Sequence, residues 1–168
     1  WSYLKILAKK FNCKLINDNC HALGATYKGS SSYSIKYADY IIQSFHAVKN
    51  ITTGEGGALL TNDKKIFLKA KSLAEHGFEL GENIKDPWDY KLANIGFNFR
   101  LSDINCALGL SQLKRLNKII AKRKYLAKIY DEKFSKFKFL HFIKNGKDSK
   151  SAYHIYPLTI NFKKLKID

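Results

Sequence analysis

The sequence has 168 residues, of which 45% are hydrophobic and 14% are aromatic. This length can form one domain with a core, or one domain and part of another, and the composition excludes a chain that is disordered throughout. The net charge of +16 comes from 30 basic and 14 acidic residues. The basic residues are mostly lysines spread along the chain, which favours a solvated surface over a nucleic-acid site, because such sites normally form a patch or stripe.

Cysteine usage and hydropathy exclude further classes of protein. No apolar run reaches the roughly 20 residues that a membrane-spanning helix requires. Cys13, Cys20 and Cys106 lack the spacing of a zinc site, so we expect no metal site, free thiols in a reducing compartment and a cytoplasmic location. The sequence starts at Trp1 and contains no methionine, which predicts a piece of a longer protein.

Alternating helical and strand patterns in the first part of the chain predict an α/β fold. An amphipathic helix is expected first, with an apolar face formed by Trp1, Leu4, Leu7, Ala8 and Phe11. A short buried strand should follow, with Asp18 directly at its carboxyl end. After a polar turn over 30–34, we expect strands over 37–45 and 57–61 and a helix over 64–75.

The later part of the chain predicts helices and a final strand. Residues 81–90 show no periodicity, so we expect a long loop there. Ser102 is expected to cap a helix, which continues either into a second long helix or through a kink near Asn117. Residues 153–162 predict a strand, in which Pro157 requires an edge position or a bulge.

Lys49 lies between an apolar, strand-like run and a polar loop that contains three glycines, Gly54, Gly56 and Gly57. A lysine amine that is removed from water can attack a carbonyl group near neutral pH and form a Schiff base. The alternative is an ordinary surface lysine, as most of the 30 basic residues must be. Because functional residues concentrate on loops that a rigid scaffold holds, Lys49 is a candidate catalytic residue.

Asp18 and His21 form a second candidate pair. Open α/β sheets bind ligands just outside the carboxyl ends of their strands, which is where Asp18 is expected. An aspartate at such a position can equally cap a helix or a turn, and an isolated histidine near a buried strand is more often structural. The residues alone leave these alternatives open.

Three segments follow one another along the chain and carry a resemblance. They are Asp18-x-x-His21-Ala22-x-Gly24-Ala25, Ser44-Phe45-His46-x-x-Lys49-x-Ile51-Thr52-Thr53-Gly54-Glu55-Gly56-Gly57, and Gly96-Phe97-Asn98-Phe99-Arg100-Leu101-Ser102-Asp103 with Ala107-Leu108-Gly109-Leu110-x-Gln112-Leu113. Together they resemble the successive motifs of the DegT/DnrJ/StrS aminotransferases, which use pyridoxal 5'-phosphate to aminate nucleotide-linked keto sugars. The resemblance covers nearly the whole chain.

The resemblance implies a role for each of five residues. Lys49 matches the lysine that forms the internal aldimine with pyridoxal phosphate and moves the proton between sugar and cofactor. Asp18 matches the acid that pairs with the pyridine nitrogen, and His21 matches a position beside the ring. Ser44 matches a serine that binds the cofactor phosphate. Asn98 matches a residue that reaches the phosphate of the neighbouring subunit, which implies a homodimer with shared active sites.

The implied fold is part of a type I PLP-dependent transferase. Residues 1–117 would be the later part of the large cofactor-binding domain, and residues 118–168 the linking helix and the incomplete start of the small domain. The implied reaction moves an amino group, with glutamate as the expected donor, onto a nucleotide-linked 4-keto sugar. Because the remaining segments of such an enzyme are absent, we do not expect these 168 residues to be active alone.

Two alternatives to this function stay open. One is a PLP-dependent sugar dehydratase, although such dehydratases resemble the family with His at the position of Lys49. The other belongs to a different class, and is a basic nucleic-acid-binding module built on the helices of residues 116–138.

Overall fold

The protein is described here by a computed structural model, in which residues 1–80 and 90–165 are described. Helices and short strands alternate along the chain. Their order is α1 (Ser2–Lys10), β1 (Ile16–Asp18), β2 (Thr26–Tyr27), α2 (Tyr33–Tyr37), β3 (Tyr40–Ser44), β4 (Gly57–Thr61), α3 (Lys64–Ala74), β5 (Phe78–Leu80), β6 (Tyr90–Leu92), α4 (Asp103–Lys114), α5 (Leu116–Phe134), β7 (Leu140–Phe142), β8 (Ser149–Lys150), β9 (Leu158–Ile160) and α6 (Phe162–Leu165).

A three-stranded sheet with the order β1-β3-β4 is the centre of the arrangement. Strand β1 runs parallel to β3, with Asp18 opposite Ile42, and β4 returns antiparallel to β3, with Ser44 opposite Gly57. Because β1 and β3 are parallel, their carboxyl ends meet at the same edge of the sheet. Asp18 and Ser44 are the last residues of these two strands, and both therefore lie at this edge.

Three two-stranded ladders complete the strand pairing of the described residues: β2 with β8, β5 with β6, and β7 with β9. The β2–β8 pair joins residues that are far apart in sequence, with Tyr27 opposite Ser149. Next to this pair, the backbone N–H of Lys28 donates a hydrogen bond of 2.6 Å to the carbonyl of Asp148. The last part of the chain is thus tied back to the segment that follows β1.

The helix starts agree with the sequence signals. The Asp63 carboxylate caps α3 by accepting from the backbone N–H groups of Lys65 and Ile66, and the Ser102 hydroxyl caps α4, as capping preferences predict. Of the two expected arrangements after Ser102, two consecutive helices are present. The break between them lies at Arg115 rather than near Asn117.

Two parts of the secondary structure differ from expectation. Residues 31–32 form part of the expected turn. Helix α2 replaces the end of that turn and the start of the expected strand over 37–45, because the Tyr33 hydroxyl donates to Asn19 Oδ1 at 2.8 Å and the Tyr33 ring is buried. Only β9 forms within 153–162, because the carbonyls of Tyr153 and His154 accept from a side chain of α5 instead of a strand. Such tertiary contacts override local propensity.

The sequence pattern of Cys13, Leu15 and Ile16 predicts the first strand, but the strand spans Ile16–Asp18. Asp18 therefore ends the strand instead of following it. A β5–β6 hairpin, which no sequence pattern predicts, flanks the segment expected to be a long loop over 81–90. Residues 81–89 of that loop lie outside the described residues. None of the helices in the described part of the chain is long and apolar enough to cross a membrane.

Helix α5 approaches the turn after β1 so closely that only glycine fits at one position. Gly24 has a φ of +86°, and a Cβ atom there would lie 2.7 Å from Ile120 Cγ1. Gly29 has a similar φ of +77°, but no atom lies within 4 Å of the position of its Cβ. A side chain at Gly29 would therefore cause backbone strain alone, whereas one at Gly24 would cause both backbone strain and overpacking.

We expect Gly24→Ala to lower the free energy of unfolding by about 2–5 kcal/mol, since left-handed strain and overpacking add. Gly29→Ala should cost only the strain, about 1–2 kcal/mol. Urea denaturation of both variants measures the difference. Equal costs for the two substitutions would contradict the close packing of α5 on this turn.

Candidate active site

Residues 45–56 form a loop between β3 and β4, here named the lysine loop, and its backbone is closed by its own hydrogen bonds. The N–H of Phe45 donates to the carbonyl of Gly56 at 2.8 Å, and the carbonyl of Phe45 accepts from the N–H of Thr53 at 2.9 Å. The two ends of the loop are thereby joined across the sheet edge. Lys49 lies between these two ends and is half-buried, so the hydrogen bonds of the loop hold its backbone in place.

Helix α4 supports the lysine loop from outside. The side-chain amide of Asn105 donates a short hydrogen bond to the carbonyl of Thr53, a residue that is only 3% exposed. Gly109, one turn further along α4, allows this approach, because a Cβ there would lie 2.7 Å from Thr53 Cγ2. The N–H of Asn105 is in turn bound by Ser102 at 3.3 Å, so the start of α4 and the loop are fixed together.

Residues 19–25, here named the histidine turn, carry His21 next to the lysine loop. The buried side chain of Asn50 donates from Nδ2 to the carbonyl of Leu23 at 2.7 Å. Because Asn50 directly follows Lys49, this bond joins the two segments that carry the sequence-predicted lysine and histidine.

Asp18 is held in its charged form at the end of β1. Its Oδ1 accepts from the N–H of Cys20 at 3.1 Å. The pKa of Asp18 lies below its ordinary value chiefly because of the hydrogen bond from the Cys20 thiol and then that from the Cys20 N–H. Burial opposes this lowering of the pKa, and the charges of His21 and Lys49 add smaller contributions to it. Asp18, His21 and Lys49 therefore lie within reach of one another's charges.

The Cys20 thiol stays protonated as the matching donor. Burial raises its pKa most, and the hydrogen bond to Asp18 and the charge of Asp18 raise it further. The sulfur also lies 3.8 Å from the carbonyl of Ile42 in the neighbouring strand. All three cysteines of the chain are free thiols, as their spacing predicts.

Ser44 lies at the entrance of the lysine loop. Its side-chain oxygen accepts from the N–H of His46 at 3.4 Å, and the residue is half-buried at the same sheet edge as Asp18. The imidazole of His46 reaches Glu55 across the loop at 3.5 Å. Both side chains of this pair are exposed, so the pair adds little to stability.

The described contacts of Asn98 are with residues of other segments. Its Oδ1 accepts from Arg100 Nε at 3.3 Å, its backbone forms a bridge to Glu75, and its side chain is exposed. Among residues 1–80 and 90–165, no hydrogen bond or ion pair joins Asn98 to Asp18 or Lys49. The fold thus gathers Asp18, His21, Ser44 and Lys49 at one sheet edge, whereas the described contacts of Asn98 are with Arg100 and Glu75.

Four further residues belong to the surroundings of the site and have no assigned role from sequence: Asn50, Asn105, Arg123 and His154. The His154 ring lies 4.3 Å from the His21 ring, centroid to centroid. Asn105 was visible in the sequence only as part of the helix start at Ser102. The other three offer no local signal, since their contacts are with residues distant in sequence.

No group of three or more His, Cys, Asp or Glu side chains within the described ranges is arranged to hold a metal ion. What the site does offer is one ionised carboxylate, an amine, an imidazole and a hydroxyl at the ends of parallel strands. This is a donor set for an organic ligand with both charged and polar groups.

The family model of the DegT/DnrJ/EryC1/StrS aminotransferases matches residues 2–168 of this chain. The chain belongs to this family. Its relatives include the UDP-4-amino-4,6-dideoxy-N-acetyl-beta-L-altrosamine transaminase of Campylobacter jejuni, 44% identical over 154 residues that make up 92% of this chain and 39% of that protein. The GDP-perosamine synthase of Escherichia coli O157:H7 is 34% identical over 89% of this chain and 38% of that protein.

Solved structures of DegT-family aminotransferases share the fold. Helicobacter pylori PseC, an aminotransferase involved in the biosynthesis of pseudoaminic acid, matches with a TM-score of 0.84 and 35% identity, over 96% of this chain and 42% of that one. A sugar aminotransferase from Streptococcus pneumoniae in its PLP form matches with a TM-score of 0.77 and 31% identity, over 92% and 39%. The predicted α/β fold of type I PLP-dependent transferases is confirmed, and the chain spans about two fifths of the length of these relatives.

The hydrogen bond between Cys20 and Asp18 generates a prediction about pH. Because the folded pKa of Asp18 is lowered, its carboxylate favours the folded state at neutral pH, and this contribution is lost as pH falls through that lowered pKa. Cys20→Ala removes the thiol donor but keeps the N–H donor. We expect the pKa of Asp18 to rise toward its ordinary value in this variant, as followed by carboxyl NMR titration.

Cys13→Ala is the matched control, since Cys13 is exposed and its thiol bonds to the carbonyl of Phe11. The control should leave the titration of Asp18 unchanged. An Asp18 titration that is identical in Cys20→Ala and in the unmodified protein would contradict the role of the thiol.

Proposed function

We propose that the protein containing this chain is a pyridoxal 5'-phosphate-dependent aminotransferase that acts on a nucleotide-linked 4-keto sugar. The observation that carries the proposal is the gathering of Lys49, His21 and the ionised Asp18 at the carboxyl edge of β1 and β3, in a chain of an aminotransferase family. The names of the similar proteins support the class of substrate, since they include a transaminase named for a UDP-linked sugar and a GDP-perosamine synthase.

The residues of the site fit pyridoxal phosphate. A lowered pKa keeps Asp18 charged, and a carboxylate can hold a proton on a pyridine nitrogen. Asp18 is exposed at the strand end and carries a single backbone hydrogen bond, so it has acceptor capacity left for a ligand. When bound, pyridoxal phosphate supplies an aldehyde that carries the amino group and a ring that takes up electron density.

Lys49 would be the catalytic residue. Its Nζ would hold the cofactor covalently and, once released, move a proton to or from the reacting carbon. The closed backbone of the lysine loop and the bond from Asn50 to Leu23 keep this amine beside Asp18 and His21. His21 would lie against the cofactor ring, and Ser44 would bind the phosphate with its hydroxyl.

The amino donor in this proposal is glutamate, and the acceptor is a keto sugar carried by a nucleotide. Within the family, the sequence resembles the transaminase named for UDP-4-amino-4,6-dideoxy-N-acetyl-beta-L-altrosamine, and the 44% identity to such an enzyme supports that sugar as the first to test. We also propose a cytoplasmic location, which the three free thiols fit.

A homodimer with shared active sites is part of the proposal. Asn98 of one subunit would bind the cofactor phosphate held by the other, and within one chain the described contacts of Asn98 are with Arg100 and Glu75. Apolar side chains near Asn98 are uncovered in the described chain, with Ile95 93% and Ile104 83% exposed. Exposed apolar surface of this kind is typical of a protein interface.

The proposed division of the chain follows the resemblance. Residues 1–117 would belong to the large domain, and residues 118–168 would begin the small domain. Of the alternatives, the dehydratase lacks support because the site carries Lys49 and not His. The nucleic-acid module has no observation in its favour, and the helices on which it would be built lie within the match to the aminotransferase family.

We expect Lys49→Ala to abolish covalent attachment of pyridoxal phosphate to the full-length protein. After borohydride reduction, mass spectrometry should find the added mass on the peptide that contains Lys49, and the variant should lose amino transfer from glutamate to UDP-linked 4-keto sugars. Lys69→Ala, on the exposed face of α3, is the control and should keep both. An adduct that persists in Lys49→Ala would overturn the assignment of this lysine.

We expect Asn98→Ala to weaken cofactor binding about tenfold or more, the loss of one hydrogen bond to a charged group. Mixing this variant with Lys49→Ala tests whether the site is shared. If Asn98 acts across the dimer, each mixed dimer contains one site with both residues intact. At a pyridoxal phosphate concentration too low to load Asn98→Ala, activity should therefore reappear on mixing.

The mixed dimer must be demonstrated independently, for example by two affinity tags. Mixed dimers that form but stay inactive would show that Asn98 and Lys49 act within one chain. A mixture of Lys49→Ala and Lys49→Arg serves as the negative control. No dimer in that mixture contains Lys49, so activity should not reappear.

A further inference from the structure

The histidine turn is in contact with a segment near the end of the chain. The rings of His21 and His154 lie 4.3 Å apart, with an angle of 39° between their planes, although the residues are far apart in sequence. Imidazole rings at this separation are in van der Waals contact. One face of His21 is therefore covered by His154.

Arg123 of α5 holds His154 in this position. One guanidinium nitrogen, Nη1, donates to the carbonyl of Tyr153 at 3.1 Å and to the carbonyl of His154 at 3.0 Å. Tyr153 has a φ of +50°, an uncommon value for a non-glycine residue. The double hydrogen bond fixes this turn of the backbone and, with it, the direction of the His154 ring.

His154 is poised to stay uncharged. Its Nδ1 is buried and has no hydrogen-bond partner among the described residues, and burying an unpaired charge is costly. Burial lowers the pKa of His154 most, and the charges of His21, Lys49 and Arg123 lower it further. Lys144 lines the same small cavity of about 190 Å³ as His21 and His154, so these neighbours oppose a positive charge on this ring. The carboxylate of Asp18 interacts with the charges of His21 and Lys49.

We propose that Arg123 and His154 are positioning residues: Arg123 fixes the turn at residues 153–154, and the uncharged His154 ring packs against His21 and holds it beside Lys49. This inference rests on the proposed function, in which His21 lies against the cofactor ring. It also assigns a task to the segment after α5, which otherwise has no part in the site.

The inference implies a direction for the effect of pH. A lowered folded pKa means that the packing of His154 on His21 is fully present above the ordinary histidine pKa of about 6.5. It weakens only as pH falls through the lowered pKa of His154, because the protonated ring is repelled by His21, Lys49, Arg123 and Lys144. A phenyl ring at position 154 keeps the packing and cannot be protonated.

The test uses the full-length protein and two variants, His154→Ala and His154→Phe. In the cofactor-free protein, NMR should show the loss of ring-current shifts of the His21 ring in His154→Ala and their retention in His154→Phe. With pyridoxal phosphate, His154→Ala should raise the dissociation constant about tenfold. His154→Phe should bind like the unmodified protein near about pH 8 and should lack the weakening that the unmodified protein shows at the acidic pH at which His154 becomes protonated.

His141→Ala is the control for this test, since His141 is an exposed histidine of β7 in the same part of the chain. Arg123→Met keeps the apolar stem of the side chain and should reproduce the NMR change of His154→Ala. If His154→Ala folds and behaves like His141→Ala, or if His154→Phe is as impaired as His154→Ala, the inference is overturned. Because the His21 signals are read without cofactor, they can report the contact even if Lys49 fails its own test.

Discussion

The hydrogen bonds of Phe45 are the constraint on which the site depends. Its N–H and carbonyl are both used within the lysine loop, and the carbonyl accepts a second bond from the Thr52 hydroxyl at 3.1 Å. A lysine side chain has about 2 kcal/mol of rotamer entropy to lose when it is held in one place. Fixing the backbone beforehand does not remove that cost, but it removes the larger cost of ordering a flexible loop, about 1–2 kcal/mol for each residue.

Two helices support the two loops of the site, and glycine allows the approach in both cases. Helix α4 meets the lysine loop where Gly109 faces Thr53, and α5 meets the histidine turn where Gly24 faces Ile120. Since a single residue, Arg115, separates α4 from α5, the positions of the two loops are coupled through the helices. The first turns of α5 thus pack on the part of the chain before residue 117, while its later residue Arg123 binds the part after residue 150.

Local signals in the sequence were sufficient where a few neighbouring residues determine the conformation. The helix that begins at Lys64 and the cap at Ser102 are of this kind. Helix α2 was missed because a buried hydrogen bond between Tyr33 and Asn19 determines it. The contact between His21 and His154 could not be predicted either, since it depends on α5 holding a turn that lies 30 residues further along the chain.

Charge links the site to the rest of the molecule. Asp18 interacts with the charge of Lys49, while Arg123 and Lys144 add positive charge next to His154, so an anionic group of a ligand would meet an excess of positive charge there. The chain as a whole carries a net charge of +16, and a field of one sign raises the rate at which ligands of the opposite sign arrive. The lysine-rich surface, which composition alone could not assign to a partner, is therefore suited to a small anionic substrate. A nucleotide-linked sugar with its phosphate groups meets this requirement without any patch built for a nucleic acid.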